Sequence, residues 1–219
     1  MAKRVGVLLS GCGVKDGAEI QEAALTLLAL DQRGAQAVCC APDCDFEVID
    51  HVTGKPAGER RNVLRESARI SRGEIRDVAH VTPADLDALV MPGGFGAAKN
   101  LCGFATQGAD CAVNPAVEKL VAGMLAARKP IGAICIAPAL LARIAGKHGV
   151  AARLTIGNDA GTARTIEAMG ARHEACPVRE FVVDREHKIV STPAYMLGRG
   201  PAEVFEGIRK LVDEVLSLA

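Results

Sequence analysis

Tryptophan is absent from the 219 residues, tyrosine occurs once, at Tyr195, and phenylalanine five times. So few rings leave little to stack on bases or sugars. Neither charge is in excess, since 26 Lys and Arg balance 26 Asp and Glu. Nucleic acid and anionic membrane surfaces are therefore not expected partners. No run of eighteen apolar residues occurs, so no membrane span is expected. Met1-Ala2-Lys3-Arg4 leads straight into an apolar strand, not into the core of a secretion signal. Paired C-x-x-C motifs and histidine clusters are missing as well. The eight cysteines (Cys12, Cys39, Cys40, Cys44, Cys102, Cys111, Cys135, Cys176) are scattered. Three of them lie close together, but neighbours on a strand face opposite ways. Neither a structural zinc nor a disulfide framework is expected, and the pattern fits a reducing, cytoplasmic location.

What is present reads as alternating strands and helices. Arg4 to Leu9 is a continuous apolar run of the kind a central parallel strand needs. A Gly-rich turn, Gly11 to Gly17, precedes a helix carrying Ile20, Ala23, Ala24, Leu27 and Leu28, with Gly34 as its stop. Asp16 followed by Glu19 reads as a capping box with Asp16 at the cap. Ala35 to Ala41 is a second strand, and Phe46 to Pro56 reads as a hairpin or edge strand. Glu59 to Arg76 is a charged surface excursion, helical over Asn62 to Arg72. Ala88 to Met91 is a strand breaking into Pro92-Gly93-Gly94-Phe95-Gly96. Gly103 to Asn114 is longer than a connector needs, as functional loops often are. Pro115 to Arg128 is a helix, Pro130 to Ile134 a strand, and Ala137 to Ala145 a helix. Leu154 to Ile156, the helix Asp159 to Met169 and the strand His173 to Val178 follow. A hairpin flanks Asp184 to His187, and Pro201 to Leu218 is an amphipathic closing helix. One domain is expected, a mostly parallel sheet with helices on both faces.

The stretch PIGAICIAPALL, Pro130 to Leu141, puts Cys135 between a strand and a helix with no room for a loop. That is the geometry of a nucleophile elbow. The free amides and positive field of the helix start favour thiolate over thiol. The plainer alternative is a small buried hydrophobe at a strand end. Gly93 and Gly94 expose bare amides which, with the amide of Ile136, form a candidate oxyanion hole. Their plainer role is a tight turn. A thiol nucleophile needs a proton relay, and Glu19 and Glu22 are the carboxyls near the start of the first helix. Glu19 has a capping role available and Glu22 has none, but periodicity leaves open which one faces the thiol. Lys99, in the Gly-rich turn region, is a candidate for meeting a carboxylate product, or a solvated surface lysine.

Together KRVGVLLSGCGVKDGAEIQEA, VMPGGFGAAKNL, GAICIAPALL and STPAYML resemble the PfpI-type cysteine-elbow superfamily, and within it the ElbB, or enhancing lycopene biosynthesis (ES-one), branch. The resemblance spans about Lys3 to Leu218. It implies a flavodoxin-like three-layer α/β/α sandwich, usually dimeric, without cofactor or metal. It places the helix carboxyl at Glu22 and the oxyanion donors at Gly94 and Ile136. The activity it implies is cofactor-free glyoxalase-type chemistry on small aldehydes, glyoxal or methylglyoxal giving glycolate or lactate. Ile136 stands where peptidase-like members carry histidine, and Thr192 to Glu203 lacks the His-x-Glu of glutaminases. Thr155 to Asp159 likewise has no histidine where the deglycase branch carries one. The five histidines lie outside the motif segments and are read as local structure. Two rivals remain. Gly11-Cys12-Gly13 with Gly17 imitates a dinucleotide fingerprint, off its usual spacing. The other rival is a redox-sensing or partner-binding protein built on the same thiol.

Overall fold

The computed structural model describes residues 2–219. The first half of the chain runs β1 (Arg4–Leu8), α1 (Ile20–Gln32), β2 (Gln36–Ala41), β3 (Asp45–Ile49), β4 (Pro56–Asn62), α2 (Val63–Ile70) and β5 (Arg76–Asp77). β6 (Ala88–Met91), α3 (Phe95–Lys99), α4 (Phe104–Gln107) and α5 (Pro115–Ala126) lead to the elbow strand β7 (Ile131–Ile134) and helix α6 (Ala137–Lys147). β8 (Arg153–Leu154), α7 (Ala160–Ala168), β9 (Arg172–His173), β10 (Val182–Asp184), β11 (Ile189–Thr192) and α8 (Pro201–Leu218) complete the chain.

β1 is apolar on both sides, and a parallel strand covered by helices on both faces is where such a run is buried. Val5 and Val7 point into one core with Leu30, Ile208, Leu211 and Val212. Leu8 points into the other, with Leu89, Met91, Leu120, Met124 and Leu141. α1 and α8 therefore cover one face, while α5 and α6 cover the other. Each large aliphatic side chain so buried contributes about 1.5–3 kcal/mol.

Seven strands form the main sheet in the order β10-β11-β7-β6-β1-β2-β5. Every pairing is parallel except β10 with β11. This is the flavodoxin-like α/β/α architecture. β3 and β4 make the antiparallel hairpin expected after residue 45.

The stretch from Glu59 to Arg76 is more ordered than a surface excursion. It holds the end of β4 and all of α2, and it runs into the edge strand β5, whose two residues pair with Cys40 and Ala41. So short a strand carries no readable alternation. The strand expected over His173 to Val178 shrinks to β9, paired with β8 in a separate two-stranded sheet. The capping box also differs. Glu19, not Asp16, is the N-cap of α1, and its carboxylate accepts the Glu22 N–H at 2.6 Å. Asp16 accepts the Ile49 N–H at 2.8 Å and ties the Gly-rich turn to the hairpin. No described helix is long and apolar enough to cross a membrane.

Candidate active site

Parallel sheets gather ligands outside the carboxyl ends of their strands. There the turn after β6, the elbow after β7 and the turn after β11 converge on the first turn of α1. Cys135 sits at the elbow with φ of 62°, a left-handed conformation that costs an L-residue energy and tends to persist at functional sites. Its N–H is held by Thr192 O at 3.0 Å, so β11 pins the turn. A second non-glycine residue with positive φ, Ala194, lies just beyond β11. It turns the Tyr195 N–H toward the same place.

Glu22 answers the question the periodicity left open. It is fully buried, and its two oxygens accept the Gly93 N–H at 2.9 Å and the Tyr195 N–H at 3.2 Å. The same carboxyl lies beside Cys135, close enough for its charge to favour the neutral thiol. Glu19 instead caps the helix and lines the mouth of the cleft. Gly93 has no room for a side chain, because a Cβ there would stand 2.5 Å from Cys135 Cβ and 2.8 Å from Glu22 Oε2. Its N–H is committed to Glu22, so Gly93 does not serve as an oxyanion donor. The Gly94 and Ile136 amides lie close enough to the Cys135 sulfur to favour its charged form. They are the two donors left for an oxygen formed beside it.

Burial pushes the Glu22 carboxyl up to about 7, helped by the charge of Glu19 and opposed by its hydrogen bonds. Burial, then the Glu22 charge, push the Cys135 thiol well above its ordinary value, against the pull of the Gly94 and Ile136 amides. The helix start thus does not leave a free thiolate, as the sequence suggested, because desolvation outweighs it. Nor is the sulfur exposed: Cys135 is 8% accessible, at the floor of a cleft. Two acids in contact there do not both ionise readily. Above pH 7 the pair keeps one proton, on the thiol, beside an ionised carboxyl.

The cleft over Cys135 holds about 350 Å³. Its walls come from the Gly-rich turn (Val14), α3 (Phe95, Ala98), α4 (Phe104, Ala105) and the turn after β11 (Tyr195, Met196). The long loop after Cys102 therefore does reach the site. Sequence reasoning missed Phe104 and Met196, whose apolar character gave no signal. Tyr195 acts through its backbone, which no pattern displays. Lys99 is not part of the cleft. Its ammonium lies 5.2 Å from the Phe95 ring centre and donates to Lys15 O at 3.3 Å, on the outer side of α3. No histidine lines the cleft: His51 accepts the Lys15 N–H at 3.1 Å, and His187 pairs with Asp184 at 3.0 Å. Among the described residues no three His, Cys, Asp or Glu stand together as metal ligands.

A second cleft of about 350 Å³ opens at the amino ends of the strands, lined by Arg153, Arg172, Asp184, Glu186 and His187. Two of its charged groups are paired, Arg153 with Glu174 at 2.9 Å and Asp184 with His187.

No protein-family model matches the chain. Individual proteins do. The human glutamine amidotransferase-like class 1 domain-containing protein 3, a mitochondrial protein, is 46% identical over 228 residues, covering 99% of this chain and 84% of its own. The mitochondrial ES1 protein homolog of Rattus norvegicus is 45% identical, covering 98% of this chain and 84% of its own. A crystal structure of an isoprenoid biosynthesis protein with an amidotransferase-like domain, from Ehrlichia chaffeensis, superposes with a TM-score of 0.93 at 35% identity, over 99% of both chains. A DJ-1 superfamily protein from Salmonella typhimurium, at 24% identity and a TM-score of 0.58 over 98% of this chain and 91% of its own, shares the fold. The mitochondrial relatives overturn the expectation of a cytoplasmic location. Unpaired cysteines report only that a compartment is reducing, and that property does not single out the cytoplasm.

Proposed function

The chain belongs to the ES1 family of glutamine amidotransferase-like class 1 domain proteins, and on that footing we propose that it is a cofactor-independent glyoxalase-type enzyme acting on 2-oxoaldehydes such as glyoxal and methylglyoxal. The observation that carries the proposal is the buried contact between the Cys135 thiol and the Glu22 carboxyl beneath an open cleft. Glu22 takes the thiol proton as sulfur bonds to the aldehyde carbon, then passes it to the new oxygen, giving a hemithioacetal. The Gly94 and Ile136 amides stabilise the charge that develops on that oxygen. Glu22 then removes the proton from the former aldehyde carbon and returns one to the neighbouring carbon through an enediol, leaving a thioester. Water cleaves the thioester, restoring the thiol and releasing the hydroxy acid. Oxidation of one carbon balances reduction of the next, so no external redox partner enters. One carboxyl performs each proton transfer, and turnover is correspondingly slow.

A second reading, reversible oxidation of Cys135 in a sensor, starts from the same thiol. The two separate on substrate. Lactate formation from methylglyoxal that vanishes in Cys135→Ala supports the enzyme. Turnover retained in that variant refutes the assignment, and peroxide oxidation of Cys135 without aldehyde consumption selects the sensor. A homodimer remains part of the proposal, and sedimentation should give twice the 22.8 kDa of one chain.

A further inference from the structure

We infer that the Cys135 cleft selects uncharged carbonyl compounds bearing an apolar substituent of about ring size, and discriminates against anionic ones. The inference rests on the aldehyde reading of the site and narrows its substrate class. Three observations carry it. The first is size: clefts of about 300–1,000 Å³ take drug-sized ligands. At about 350 Å³, this one is left mostly empty by a three-carbon oxoaldehyde. The second is lining. Val14, Phe95, Ala98, Phe104, Ile136 and Met196 supply apolar walls. Besides Glu19, the polar side chains are Thr162, a neutral hydroxyl, and Tyr195, whose hydroxyl already donates to Gln21 Oε1. The third is charge. The cleft lining includes no lysine, arginine or histidine, whereas Glu19 stands at its mouth and Glu22 behind its floor. Lys99, the cation the sequence pointed to, is turned away onto Lys15 O. A carboxylate or phosphate would enter without a counter-charge, against two acids in a poorly solvated space.

Alkylation of Cys135 tests this without turnover. Iodoacetamide, N-benzyl-iodoacetamide and iodoacetate react alike: sulfur bonds to the methylene carbon, iodide leaves and the thiol proton passes to Glu22. Rates at the Cys135 peptide are read by mass spectrometry on the whole folded chain, each normalised to the same reagent on the denatured chain. The expected order is benzyl above acetamide above acetate, with about tenfold per step. Phe104→Lys should raise the iodoacetate rate and lower the benzyl rate. A flat series, iodoacetate reacting fastest, or Cys135 left unmodified by all three would overturn the inference.

A parallel assay compares methylglyoxal with phenylglyoxal as substrates, phenylglyoxal being expected to show the higher kcat/KM. Should neither be consumed while the alkylation order holds, the enzyme reading fails and the cleft selectivity stands. Should methylglyoxal be consumed with a flat alkylation series, the reverse holds.

Discussion

The two ends of the sheet carry clefts of equal volume and opposite character. At the amino ends, Arg153 meets Glu174 in an exposed pair of the kind worth little to stability, and Asp184 meets His187. At the carboxyl ends, one thiol and one carboxyl are sunk among mostly apolar walls, with backbone amides around them and Glu19 at the mouth. The first cleft has already paired its buried acid, Asp184, with His187. The second has arranged donors around a proton that two acids share. Size does not separate a site from a surface depression; unfinished chemistry held in strained backbone does.

The largest test of that contrast is a pair of truncations. Cys135→Ala should abolish lactate formation from methylglyoxal, while Arg153→Ala, at the other end, should leave kcat and KM unchanged in the same assay. Next, Glu22→Gln should lower kcat by about 10²–10⁴, the usual worth of a positioned general acid–base.

Glu22→Gln also separates the clefts by pH. Glu22 has its folded value raised to about 7 from an ordinary 4.5, so the folded chain binds more protons than the unfolded chain between those values. Its contribution to stability is therefore greatest below pH 4.5 and declines as pH rises through 7, by about 3 kcal/mol. Asp184 has the opposite sign. Burial opposes its ionisation, but hydrogen bonds from the Arg153 N–H and from His187 prevail and hold it below its ordinary value. Its contribution is present above pH 3.8 and is lost on further acidification. Denaturant midpoints should fall less between pH 5 and 7.5 in Glu22→Gln than in the parent. In Asp184→Asn the parent's sensitivity to acid below pH 4 should shrink instead.

Smaller effects follow at two glycines. Gly93→Ala forces a methyl against Cys135 and Glu22 and should cost about 1–3 kcal/mol together with most of the turnover. Gly149→Ala, beside the polar cleft, meets open space and pays only for its positive φ of 73°. About 1–2 kcal/mol of stability should go there, with activity intact. Smallest of all is Lys99→Ala, expected to fall within about 0.5 kcal/mol in stability and to leave kcat unchanged, since its ammonium serves the outer side of α3.

Much of this arrangement was legible in the residues. Apolar runs such as RVGVLL and ALVM announced buried parallel strands, and the abrupt join at Cys135 announced the elbow. Glu22 was legible through the family resemblance, whereas helical period alone left it level with Glu19. What stayed hidden was work done by backbone. The Tyr195 N–H reaches Glu22 because of an Ala194 torsion, and the Gly93 N–H serves the carboxyl although it looked like an oxyanion donor. Asp16 misled because a cap and a loop tie use the same residue type. The charge state of Cys135 was misjudged for another reason: a helix start is visible in sequence, but the depth of burial that overrides it is not.

The Glu22 carboxyl joins partners 71 and 173 positions away along the chain, at Gly93 and Tyr195. Closing loops of that length is entropically expensive and waits for the sheet that spans them. A nascent or broken chain therefore carries a commonplace thiol and a commonplace acid. The acid acquires its full set of partners only once the eleventh strand has joined the sheet and brought the Tyr195 N–H to it.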